Sequence, residues 1–197
     1  MNKLLTDYFY IFLHPFKIYD SYHSKEKIPL TFYEMMGISW IFKIIRTIYY
    51  FIGIHFLLLL VSRGLNEKAL GEITHKKTFL YWVLVGVIFY PLILWFLSKF
   101  WIVIIRFFCV LYNKDGPTLK ISTVCYCALT SQGLLVVPIL GEILVPFAFF
   151  FFLFAGLKKS LGFTTLQAVL VLISPLFLFF LMIILSLAYL MLLLNMI

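Results

Sequence analysis

Charge is scarce in this 197-residue chain: charged residues make up 12% of it, against about 25% in a typical soluble domain. Carboxylates are rarer still, eight in all, which leaves little for an oxygen-rich metal site. Cysteine is confined to Cys109, Cys125 and Cys127, all in or beside apolar runs. The Cys125-x-Cys127 spacing does not suit a CxxC redox or zinc motif, and on a helix the two side chains diverge by about 200°. Buried, reduced thiols are expected. The four histidines (His14, His23, His55 and His75) show no HxxxH or HExxH spacing. No GxSxG elbow, P-loop or pair of intramembrane aspartates occurs. The expectation is a protein that is not an enzyme and takes no metal or other cofactor.

Apolar residues fill the space that charge leaves. The hydrophobic set accounts for 64% of the chain, above the roughly 45–50% of a soluble domain. A domain of this size lacks the interior to hide so much apolar surface, and disorder needs the opposite composition. The chain reads as an all-α, polytopic integral membrane protein. Its 16 Lys+Arg outnumber the acidic residues, for a formal net charge of +8. They sit mainly at the ends of apolar stretches, where lipid headgroups and topology account for them, and no soluble basic face exists to bind nucleic acid.

Residues 1–43 read as an N-terminal amphipathic segment. Asp7 interrupts its apolar start, and His14-Pro15-Phe16-Lys17 replaces any small-residue cleavage site, so a signal peptide is not expected. Leu4, Leu5, Tyr8, Phe9 and Phe12 share one helical face, and Pro15 should end the helix. A helix this short cannot span. It either lies in the membrane interface or packs on the protein's own spans.

Residues 44–197 read as a five-span domain, with crossings near 44–61, 79–101, 119–140, 143–157 and 168–194. Between the third and fourth, Pro138 and Pro146 bracket Gly141-Glu142, and a tight turn at that pair keeps the carboxylate out of hydrocarbon. A re-entrant hairpin is the competing reading. With a cytoplasmic N-terminus, twelve of the basic residues fall inside and four outside, so the positive-inside rule places the C-terminus outside.

Three segments accompany this layout: His14-Pro15-Phe16, the loop Asn113-Lys114-Asp115-Gly116-Pro117-Thr118-Leu119, and the run from Leu157 through Ser160-Leu161-Gly162 to Ala168. With five spans they resemble the Yip family, the Ypt/Rab-interacting membrane proteins and their bacterial relatives, over roughly residues 10–190. The short N-terminal segment looks like the compact bacterial type. Thr130-Ser131-Gln132-Gly133 stands where the family carries small residues and proline. The resemblance implies a multi-pass protein of a bacterial cytoplasmic (inner) membrane that serves other membrane proteins. Accessory subunit, assembly or trafficking factor, with a transporter subunit or a second copy as partner, is the leading reading; a small transporter or lipid-handling protein is the alternative.

The polar positions worth testing are Glu34, His55, Arg63, Lys99, Arg106 and Glu142. Lys99 and Arg106 lie two helical turns apart, and if they point inward Glu34 is the expected partner. Glu142 is expected to meet Arg63 at the outer interface.

Overall fold

The computed structural model describes residues 2–23, 30–64, 76–114 and 116–195. Helices account for nearly all of the described residues, and no strand occurs among them. The helices are α1 (Asn2–Leu13), α2 (Pro15–His23), α3 (Phe32–Gly64), α4 (Lys76–Ile88), α5 (Tyr90–Leu111) and α6 (Thr118–Ala128). A 3₁₀ segment (Leu129–Val136) continues α6, and α7 (Leu140–Lys159) and α8 (Thr165–Asn195) follow. Among the described residues, five stretches are long and apolar enough to cross a membrane: Phe32–Gly53, Tyr90–Leu111, Thr118–Val136, Leu140–Lys159 and Thr165–Tyr189.

Local chemistry explains where these helices start and break. Thr31 caps α3: its hydroxyl accepts the Glu34 amide (3.4 Å), and the Glu34 carboxylate accepts the Thr31 amide at 2.6 Å. Thr164 and Gln167 repeat this reciprocal box at the start of α8, at 3.3 and 3.0 Å. Because of its cap at Thr31, α3 begins at Phe32, well before the expected first crossing at residue 44. The apolar stretch 79–110 is divided at Phe89, because Pro91 cannot donate to the Val87 carbonyl four residues back. The indole of Trp40 on α3 takes that carbonyl instead, at 2.9 Å. Pro175 frees the Val171 carbonyl in the same way, and the Ser174 hydroxyl donates to it at 2.7 Å. At Pro91 and at Pro175 a side chain thus satisfies the orphaned acceptor, as an apolar surrounding requires.

The third crossing is the hub. About 61% of its apolar window is buried, against 11% for the last crossing. Around α6 and the 3₁₀ segment pack α3, α5 and α7, with α1 against the 3₁₀ segment and α2 against α7. The helical face read from the N-terminal sequence packs on the protein's own helices only in part: Tyr8 is fully buried, as is Ile11 outside that face, while Leu4 and Phe9 are exposed; the Tyr8 hydroxyl donates to the Thr130 carbonyl at 3.0 Å. On α2, Tyr19 is fully buried against α7, where a Cβ on Gly156 would come within 2.9 Å of its ring. Cys109, Cys125 and Cys127 are free thiols in this interior.

The turn between the third and fourth crossings is not at Gly141-Glu142. Residues 137–139 make it, with Ile139 in the left-handed region at φ 63°, and Gly141 and Glu142 form the first turn of α7. Gly141 serves close approach: a Cβ there would lie 2.1 Å from the Leu134 carbonyl oxygen. This closeness lets α7 leave the 3₁₀ segment without a gap.

Candidate functional site

The sequence-selected residues do not converge. Glu34 is engaged by Thr31, accepting from its amide at 2.6 Å and its hydroxyl at 2.8 Å, and does not reach Lys99 or Arg106. Both of those are exposed on the outer face of α5, where residues such as Leu94, Trp101 and Ile105 take the buried side. The Lys99 ammonium rests 5.9 Å from the Trp95 ring centroid. The inward reading of Lys99 and Arg106 is therefore corrected: apolar residues hold the inner face of α5, and the long basic side chains extend outward. The side chains of His55 and Arg63 lie outside the described residues, although both positions belong to α3.

Glu142 does form an ion pair, with Arg46. The expected partner was Arg63. The difference follows from where α3 begins. Starting at Phe32, the helix has climbed past Ser39, beside Leu129, and Phe42, beside Gly133, by the time it reaches the 137–139 turn at Arg46. Lys43 and Arg46 thus belong to the hairpin end of the bundle, not to the opposite end where the basic count placed them.

Around that pair lies the most polar constellation in the bundle. Tyr90, the first residue of α5, donates its hydroxyl to Gln132 Oε1 at 2.6 Å. Gln132 is buried on the 3₁₀ segment, between Ser131 and Gly133, and the Ser131 hydroxyl is buried without a partner. Lys43, three residues before Arg46 on the same face of α3, places its ammonium 5.2 Å from the Tyr90 ring centroid. Four elements meet here: α3 brings two cations, α5 a phenol, the 3₁₀ segment an amide and α7 a carboxylate. The charges sum to one net positive, because Glu142 is committed to Arg46 and Lys43 faces only an aromatic ring. The site is open on one side, with the Glu142 side chain 46% exposed.

The 3₁₀ geometry is part of this construction. Such runs rarely exceed three or four residues, and this one covers eight. Its carbonyls are served from other helices, Tyr8 donating to Thr130 and Ser39 reaching Leu129 at 3.4 Å. The Thr130 hydroxyl donates to Cys127 at 2.7 Å.

A second feature is apolar. Where α8 diverges from α5, a crevice of about 540 Å³ opens between Val103, Ile104, Phe107, Leu170, Phe177 and Leu178. It faces outward along the bundle's side, with most of its walls exposed.

No protein family, curated protein or solved structure matches this chain. The site therefore stands on its own geometry.

Sequence reasoning singled out Glu142 but missed Lys43, Arg46, Tyr90, Gln132 and Trp40. Two signals were present. Lys43 and Arg46 interrupt an otherwise apolar helix at a spacing of three, and Thr130-Ser131-Gln132-Gly133 inserts polarity in the middle of a crossing.

Proposed function

We propose that this chain is a non-catalytic protein of a bacterial cytoplasmic membrane that serves other membrane proteins as an accessory subunit or assembly factor, in the manner of the Yip family it resembles. In this reading the N-terminus is cytoplasmic and the C-terminus lies outside. The observation that carries it is α8. Only its first turns pack on the bundle, through Ala168 and Val171, and from Leu176 to Tyr189 every side chain is exposed on all sides of the helix. A helix so long and so little used by its own fold is a surface offered to something else in the membrane.

The test is photo-crosslinking in cells from α8 positions such as Phe177, Phe180 and Leu187, with Phe147 on α7 as the comparison site. A discrete adduct with one membrane protein, formed from one face of α8, is the expected result. Lipid adducts alone from every α8 position would defeat the reading.

A lipid-handling role is the second reading. It is favoured by Lys43, a cation inside a crossing that, among the described residues, faces a ring and no carboxylate. Transfer of lipid or solute by the purified protein in proteoliposomes, with no partner required, would favour it over the first.

A further inference from the structure

We propose that Lys43 and Arg46 hold a phosphate group at the hairpin end of the bundle, with the headgroup of an anionic phospholipid as its source. The site does not depend on whether α8 has a protein partner. An ionisable side chain within a membrane helix is costly, and such residues pair with one another, meet backbone carbonyls or mark a binding site. Arg46 has its counter-charge in Glu142. Lys43 has none among the described residues: its ammonium has only the face of Tyr90, at 5.2 Å. The Tyr90 hydroxyl gives its proton to Gln132 at 2.6 Å and, as a neutral phenol, brings no charge to offset the ammonium.

Among the described residues that partner is missing; an anion from outside the chain would supply it, and its chemistry follows from the donors. Lys43 supplies a compact point charge with three N–H groups, the form in which lysine binds phosphate. Arg46 lies one helical turn further on the same face, so a phosphate at Lys43 is within reach of its planar fork. Glu142 sets the strength. It pairs with Arg46 and keeps the site at a single net positive charge. Its side chain is nearly half exposed, so the approach is open from the surroundings of the bundle. A phosphate diester on a lipid brings the required charge to a helix bundle laterally, with no aqueous path needed.

The experiment places the protein in nanodiscs of phosphatidylcholine alone, of phosphatidylcholine with phosphatidylglycerol, and of phosphatidylcholine with added inorganic phosphate. Native mass spectrometry counts the retained phosphatidylglycerol, and thermal melting follows protection by either anion. Wild type should retain a phosphatidylglycerol that Lys43→Gln holds about tenfold more weakly, the loss of one charge-assisted contact. Lys43→Arg should keep it. Glu142→Gln should bind more tightly than wild type, because Arg46 is released; a purely structural Lys43 would not produce that sign. Protection by inorganic phosphate in neutral discs, without selective lipid retention, would assign the same site to the free anion. Equal phosphatidylglycerol retention by wild type, Lys43→Gln and Glu142→Gln, with no protection by phosphate, would overturn the proposal.

Discussion

Replacing Gly141 by alanine tests the packing that brings α7 to the site. The added Cβ would lie 2.1 Å from the Leu134 carbonyl oxygen, 3.0 Å from the Leu134 carbonyl carbon and 3.2 Å from the Leu135 Cα. All three neighbours are backbone, so no rotamer change relieves the contact. Ordinary contact needs the helix start to retreat by more than an ångström, which strains the Gly141 amide bond to Val137 (3.0 Å) and pulls Glu142 from Arg46. Overpacking of this kind costs about 1–3 kcal/mol, and a rigid neighbour puts it at the upper end. The better helix propensity of alanine returns at most about 1 kcal/mol. The net loss is about 2 kcal/mol, or roughly 4–8 °C in melting temperature for a chain of this size. Gly37→Ala is the matched comparison, since a Cβ there meets nothing within 4 Å on the same kind of helical backbone. It should be neutral or stabilising by up to about 1 kcal/mol. Both are read from thermal melting of the purified protein in nanodiscs. A Gly141→Ala protein that melts at or above the wild-type temperature would refute the close-approach account.

Trp40→Phe should cost about 1 kcal/mol by leaving the Val87 carbonyl without a donor, and much less in a Pro91→Ala background, where residue 91 regains an amide proton for that acceptor. The coupling between the two changes, taken from melting or denaturant curves, is the measurement, and strict additivity would contradict the assignment. A double-mutant cycle of Arg46→Gln with Glu142→Gln should give a coupling near 1 kcal/mol, the upper end for an exposed pair, whereas the same cycle with Arg63→Gln should give none. Lys99→Gln and Arg106→Gln, on the outer face of α5, should each shift stability by less than about 0.5 kcal/mol; a loss of several kcal/mol in either would mean a buried pair. Burial pushes the Tyr8 and Tyr19 phenols well above their ordinary value. A raised value leaves their contribution intact below about pH 10, where the unfolded phenols are also protonated, and removes it as pH rises beyond that. Wild type should therefore lose melting temperature above pH 10 more steeply than a Tyr8→Phe, Tyr19→Phe variant, and parallel curves would contradict the burial argument.

The helical membrane architecture was legible because it rests on composition and run length, which packing cannot reverse. Five apolar runs separated by Lys-, Gly- and Pro-bearing loops admit little else. Boundaries were less legible where a local signal was outvoted. Glu34 and Lys43 made residues 32–43 look like part of the N-terminal amphipathic segment, yet Thr31-x-x-Glu34 is a capping box and starts the helix there. The shift of one boundary moved Arg46 to the hairpin end and changed the partner of Glu142. At Pro91 the helix bends at Phe89 without unwinding, since the Phe89 amide still donates to Val85 and the Ile93 amide to Phe89, while Trp40, far away in sequence, supplies the donor that Val87 lacks. Contacts of that kind depend on which helices are neighbours, and a single sequence does not state neighbours.

The site itself illustrates a bias in reading charge along an apolar chain. Glu142 stood out because no other charge lies between Lys120 and Lys158, whereas Lys43 and Arg46 were absorbed into a count of basic residues on one side. Counting assigns each cation to a membrane face and so treats it as topology alone. Geometry separates the two uses. Lys99 and Arg106 point away from the bundle, while Lys43 and Arg46 turn toward Tyr90 and Glu142. The buried Thr130-Ser131-Gln132 run gives a reason for the difference. A polar third crossing at the centre of the bundle makes its neighbours' inner faces tolerable for polar groups, and α3, packed against it, is where the inward cations are found. Polarity in the central helix is thus the sequence feature that would have directed attention to Lys43 and Arg46, because a cation turns inward only where something inside can receive it.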